Sequence, residues 1–411
     1  MNVSHRAKLG AASAVALLAI ALPSASSADQ PIQVFILAGQ SNMVGRAQPI
    51  SAGTGPTANL LAWDNNAWEP AQDPLGPNSE PDSAVGPGMT FGIGVLAHEP
   101  PGTTVGLVMC ARGSTSISDW KHGAAIYEAC KHNARATGGH IAGVVFLQGE
   151  HEAAVEGGGA TWAKGFAKVE PSFQDDFGPI PFVLTEIGNL DPARSPYQQE
   201  VRDAQAAAAS AHPEIELVTT GDLAVEGVHF TVDAEKTLGT RMADAWYTLY
   251  QRIPKLSTVG PGSGRAGDPF TIRGSGFDIT TSVKIGFTTT PYQIDSDGQL
   301  TATVPASAQT GPVTVRTPLG IVSSPSSFQV LPTIDSFLPI SGKPGRSVKL
   351  IGTAFKGTTL VTLNGQPMSF TVKNPTLLKL TVPSNATSGR ITVTTAAGTA
   401  TSAGTFVVTT G

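Results

Sequence analysis

Residues 34–46 read VFILAGQSNMVGR: five apolar residues, then a polar, glycine-bearing turn that carries Ser41. An unbroken apolar run that stops at a turn is the pattern of a strand buried on both faces, with the turn at its carboxyl end. The texture recurs at 104–111 (TVGLVMCA), 141–148 (IAGVVFLQ), 181–187 (PFVLTEI) and 215–221 (IELVTTG). Helical stretches are expected between them, at 91–99, 124–136, 197–212 and 233–252. Strands alternating with amphipathic helices predict a doubly wound α/β domain with a mostly parallel sheet. In such sheets ligands bind beyond the carboxyl ends of the strands, so the polar residues there carry the functional reading.

Working outward, the chain of 411 residues is long enough for two or three domains, and its net charge of −5 disfavours a nucleic-acid footprint or a polybasic membrane contact. Residues 1–28 have a positively charged start, a short apolar run (AASAVALLAIALP) and small residues before Asp29. That is the layout of a signal peptide cleaved after Ala28, so a secreted or periplasmic mature chain is expected. Cys110 and Cys130 are the two cysteines. In an oxidising compartment they form one disulfide or remain two buried thiols, and the sequence leaves both open.

After Pro254 the composition shifts to Thr, Val, Ser, Gly and Pro, and one unit occurs twice. GRAGDPFTIRGSGF (264–277) aligns with GKPGRSVKLIGTAF (342–355), and TVPASAQTGPVTV (303–315) with TVPSNATSGRITV (381–393). Gly267 pairs with Gly345, Phe277 with Phe355, Gly311 with Gly389 and Phe328 with Phe406, a constant offset of 78 residues. Short β-rich runs punctuated by Gly and Pro predict two small β-sandwiches. These motifs resemble the IPT/TIG immunoglobulin-like family. The expected domains are 29–253, 254–332 and 333–411. The sandwiches are read as spacer, docking or glycan-binding modules.

Four polar blocks fall at strand ends in the first segment: AGQSNM (38–43), CARGSTSISDW (110–120), QGEHEA (148–153) and EGVHFT (226–231). They supply, in order, a serine, a glycine turn, an amide with a carboxylate, and a histidine. A serine esterase requires a nucleophile, a base, an orienting acid and oxyanion donors. Taken alone, Ser41 is a common helix cap and His229 a common structural histidine. Glu226, three residues before His229, is placed to accept from the imidazole across a tight turn. Ser41 lacks the second glycine of a G-x-S-x-G elbow, which argues against an α/β-hydrolase. The adjacent Glu150, His151 and Glu152 diverge too much for a metal cage with His229, and no metal or cofactor is expected.

Together the blocks resemble the SGNH (GDSL-like) hydrolases, in particular carbohydrate esterases of the acetyl xylan esterase and sialate O-acetylesterase type. GPGMTFG (86–92) is similar to the segment that precedes the family's second block. The resemblance implies a flavodoxin-like doubly wound sheet and a secreted esterase acting on acetylated polysaccharide or oligosaccharide through an acetyl-enzyme. It implies Ser41 as nucleophile and His229 as base. It also implies an oxyanion hole from the Ser41 and Gly113 N–H groups and the Gln148 amide. Glu226, in place of the family's usual aspartate, is the expected orienting acid, and Glu150 is its rival. Gln40, Asn42 and Trp120 are candidate substrate contacts. Ser114 stands where the family has a second glycine, a substitution that matters if the turn needs a positive φ. The other readings are a non-catalytic glycan-binding or surface protein on this fold, and a short-chain SGNH lipase or thioesterase.

Overall fold

The computed structural model describes residues 31–75, 80 and 82–410. The expected signal peptide and the start at Asp29 lie outside them. Strand β1 (Gln33–Gly39) is central and parallel to β4 (Val105–Met109) on one side and β5 (His140–Leu147) on the other. Beyond β5 come β6 (Phe182–Thr185) and β7 (Ile215–Val218), also parallel. The five expected strands therefore take the order 2-1-3-4-5 in chain sequence, that of a flavodoxin-like sheet.

The opposite edge carries a hairpin that the apolar pattern did not announce, β2 (Leu60–Asp64) and β3 (Ala67–Pro70), with β2 parallel to β4. Its turn is Asn65-Asn66, both at positive φ. An Asn pair suits such a two-residue turn, so the local signal was present although the flanking strands are half exposed.

Alternation along β1 builds two cores. Phe35 and Leu37 face α2 (Gly88–His98) and α7 (Val232–Gln251), where Phe91, Val95, Leu238, Met242 and Trp246 are buried. Ile36 and Ala38 face the other layer, made of α3 (Ala125–Ala136), α5 (Gly158–Phe177) and α6 (Gln198–Ala211). Helix α5 was not expected, because Gly158, Gly159, Gly165 and Pro171 all weaken a helical reading. It forms because Trp162, Phe166, Val169 and Phe173 recur at helical spacing and are buried. Tertiary burial outweighs intrinsic preference there.

From Lys255 each repeat folds as a four-stranded sheet facing a five-stranded one, and the strand orders of the two repeats correspond. The paired Phe277 and Phe355, and Phe328 and Phe406, are buried in the two cores. Gly267 and Gly345 share a left-handed turn at φ 90° and 83°. Among the described residues no helix is long and apolar enough to cross a membrane.

Candidate active site

The site begins with a backbone constraint. Gly39 ends β1 at φ 130°, and a Cβ there would stand 1.9 Å from the Leu147 carbonyl oxygen. Only glycine lets β1 and β5 close at this register. The Gln40 N–H then donates to Leu147 O at 2.9 Å, and the chain turns into the single helical turn α1 (Ser41–Val44). Ser41 is thus presented at the carboxyl edge of the sheet, and as the first helical residue its N–H has no intrahelical acceptor.

His229 comes from the other end of the domain, on a hairpin of β8 (Val225–Glu226) and β9 (His229–Phe230) that feeds α7. Thr231 caps that helix through the Ala234 N–H. The His229 Nε2 lies 3.1 Å from the Ser41 Oγ, within hydrogen-bond reach. Burial, and secondarily the charge of Arg46, hold the imidazole pKa below its usual value, which favours the neutral form that can accept a proton.

Asn42 locks the two ends together. Its Nδ2 donates to Val228 O at 3.1 Å and to Glu150 Oε1 at 2.5 Å, while its Oδ1 accepts from the Phe230 N–H at 3.3 Å. It therefore grips the backbone on both sides of His229. Glu150 opens the short helix α4 (Glu150–Ala153) and is buried, and burial pushes its carboxyl up to about 7.

Several expected roles are corrected. Glu226 pairs with His229 across the hairpin, but its side chain is exposed, and among the described residues it makes no hydrogen bond to the imidazole. A two-residue hairpin at the surface leaves that carboxylate hydrated. Glu150 does not reach the ring either; its contact is with Asn42. Gln148 is fully buried and directs its NH₂ to Glu152 Oε2 at 2.6 Å, Thr115 O at 3.2 Å and Gln40 Oε1 at 3.3 Å. The reverse amide orientation would set oxygen against a carboxylate, so its donors are spent inside the protein.

Gln40 is buried, its Oε1 shared by the N–H groups of Gly149 and His151. Asn42 is buried as described, and Trp120 lies in the core with its indole N–H on Thr115 Oγ1. None of the three presents its side chain to solvent, against the expectation for substrate contacts. Large or amide side chains beside a sheet are easily drawn into its packing, and a sequence does not say on which side of the wall they fall.

The glycine-turn block is held by three devices. Cys110 and Cys130 form a disulfide that ties the end of β4 to α3. Glu152 accepts from the Ile117 N–H at 2.8 Å. Ser114 adopts φ 58°, so this turn does take the left-handed conformation that glycine would hold without strain. Gly113 directs its N–H to Glu80 Oε1 at 3.3 Å, and the same carboxylate pairs with Arg46 and lies 3.8 Å from Arg112 Nε. Arg46 and Glu80 were not singled out from the sequence. Arg46 closes the GQSNMVGR stretch, and Glu80 belongs to no motif.

Residues 31–248 match the family of carbohydrate esterases described as sialic acid-specific acetylesterases. The chain belongs to that family. Residues 254–330 and 332–408 match the IPT/TIG domain. A probable carbohydrate esterase of Arabidopsis thaliana is 26% identical over 251 residues, spanning 56% of this chain and 95% of its own. An Arabidopsis thaliana structure is 25% identical, with TM-score 0.47 over 53% of this chain and 98% of that one. A carbohydrate acetylesterase from Xanthomonas citri is 16% identical, with TM-score 0.41 over 72% and 78%. The family is one of esterases acting on acetylated carbohydrate, and the matched residues include both Ser41 and His229.

Proposed function

We propose that this carbohydrate esterase is an exported serine O-acetylesterase that deacetylates a glycan through an acetyl-enzyme. The observation that carries the reading is the 3.1 Å approach of His229 Nε2 to Ser41 Oγ at the carboxyl edge of the sheet. Ser41 Oγ attacks the acetyl carbonyl while His229 takes its proton. The oxyanion forms against the N–H groups of Ser41 and Gly113, the second of which Glu80 must first release. Collapse expels the sugar oxygen, which takes the proton back from His229. Water, activated by the same imidazole, then frees acetate and restores Ser41.

In this reading Glu150 acts through Asn42, holding the histidine hairpin rather than touching the ring, and Gln148 braces the floor. The first 28 residues direct export and are removed. Acetylated xylan is the proposed polymer class for a first assay. Acetate release from it and from a small aryl acetate should be lost in Ser41→Ala with the circular dichroism spectrum unchanged. Equal release by Ser41→Ala, or none by the parent on a broad set of acetylated glycans, overturns the reading.

A further inference from the structure

Far from Ser41, at the amino-terminal edge of the same sheet, Glu170 on α5 meets His212 and Glu214 from the turn between α6 and β7. Each of the three offers one donor atom within 4.8 Å of the other two. Both carboxylates are buried, Glu170 to 4% exposure and Glu214 to 8%. His212 Nδ1 lies 3.1 Å from Glu214 Oε1. Even so, Glu170 Oε1 and Glu214 Oε2 have no hydrogen-bond partner while being shut off from solvent. Most buried side-chain oxygens are paired, and here each of the two carboxylates beside the imidazole keeps one orphaned oxygen, which leaves donor capacity for a cation.

We propose that Glu170, His212 and Glu214 bind a first-row divalent transition cation of the Zn²⁺ type. The donor set argues the class. Two carboxylates and an imidazole suit a borderline cation, whereas Ca²⁺ and Mg²⁺ prefer oxygen alone. Bonds of about 2.1 Å in a tetrahedral site require donors roughly 3.4 Å apart, so only side-chain adjustment separates the present cluster from a closed one. The charge argues it as well: a dication offsets two buried carboxylates that otherwise repel. An ion can enter on the His212 side, where the side chain is 43% exposed. Once there it would clamp α5 to the α6–β7 turn, next to Pro213, whose carbonyl accepts from Arg252 at the start of the repeat region.

The site is independent of the ester chemistry, so its test reads metal and not turnover. Tag-free full-length protein is stripped with chelator, dialysed and titrated with Zn²⁺ by calorimetry, with bound metal counted by elemental analysis. The expected result is one Zn²⁺ per chain and a raised melting temperature. Glu170→Gln and Glu214→Gln should each weaken binding at least about tenfold. Should either isostere misfold, His212→Asn at the half-exposed position gives the same reading. No stoichiometric binding by the parent, or binding unmoved by the substitutions, overturns the proposal. Ca²⁺ binding as tightly as Zn²⁺ overturns the assigned cation class.

Discussion

In the proposed mechanism His229 has no carboxylate bonded to its ring among the described residues, so its surroundings must tune it. Desolvation and the nearby Arg46 both disfavour the imidazolium. The acid limb of kcat/KM should therefore fall below the ordinary histidine value of about 6.5. Removing the positive charge in Arg46→Gln should raise the imidazole pKa and move that limb upward. A limb at the same pH in both proteins would mean that Arg46 is not felt. Glu150 gives the opposite case. Its folded pKa of about 7 lies above the ordinary 4.5, so the folded state holds a proton that the unfolded chain releases. That group's contribution to stability is present below pH 4.5 and is lost as pH rises to about 7, a difference on the order of 3 kcal/mol. Glu150→Gln keeps an acceptor for Asn42, and should be the more stable protein at pH 8 but not at pH 4. Urea unfolding followed by tryptophan fluorescence reads this domain alone, because all 5 tryptophans precede residue 253. Parallel pH curves for the two proteins would refute the assignment. The approach of Ser41 and His229 could be anticipated because each sits in a block that resembles a known pattern. The burial of Gln40, Asn42, Gln148 and Trp120 was not, since it depends largely on packing against elements remote in sequence.

Strand identity was legible wherever the apolar run was unbroken, as in β1, and failed where two weak signals had to combine. Helix α5 contains glycine and proline and still folds, because its buried stripe faces a sheet that local propensity does not see. The block after β4 shows another such dependence: its only regular piece among the described residues is a short 3₁₀ turn at Ile117–Trp120, and a covalent tie anchors its start. Cys110 and Cys130 are 20 residues apart, and closing a loop of that length in the unfolded chain is worth about 3 kcal/mol by the chain-entropy account. Cys110→Ala/Cys130→Ala should lower unfolding stability by that order and lose acetate release at a lower temperature than the parent. A reductant should destabilise the parent alike and leave the double variant unchanged. If reduction leaves the parent's unfolding midpoint where it was, the tie is not supporting this loop.

The break in composition after Pro254 and the 78-residue repeat made the three-part layout readable, but not how the parts meet. Across the junction Arg252 bonds Asp278 at 3.1 Å, and Gly320 lies against Ile253. The Arg252–Asp278 pair is partly exposed, so it contributes no more than about 1 kcal/mol. Ser41, Asn42, Glu150 and His229 all precede this junction. A chain ending at Ile253 should therefore release acetate from a soluble aryl acetate within about twofold of the full-length rate, since no bond that positions the pair is lost. Insoluble acetylated polysaccharide poses a different problem, because there the enzyme must stay near a surface. A weakly binding module raises the effective concentration without touching the chemistry. If the sandwiches dock glycan, the shortened chain should fall behind on the insoluble polymer and adsorb to it less, while keeping its rate on the soluble ester. Equal rates on both substrates, with equal adsorption, would leave the two sandwiches as spacers.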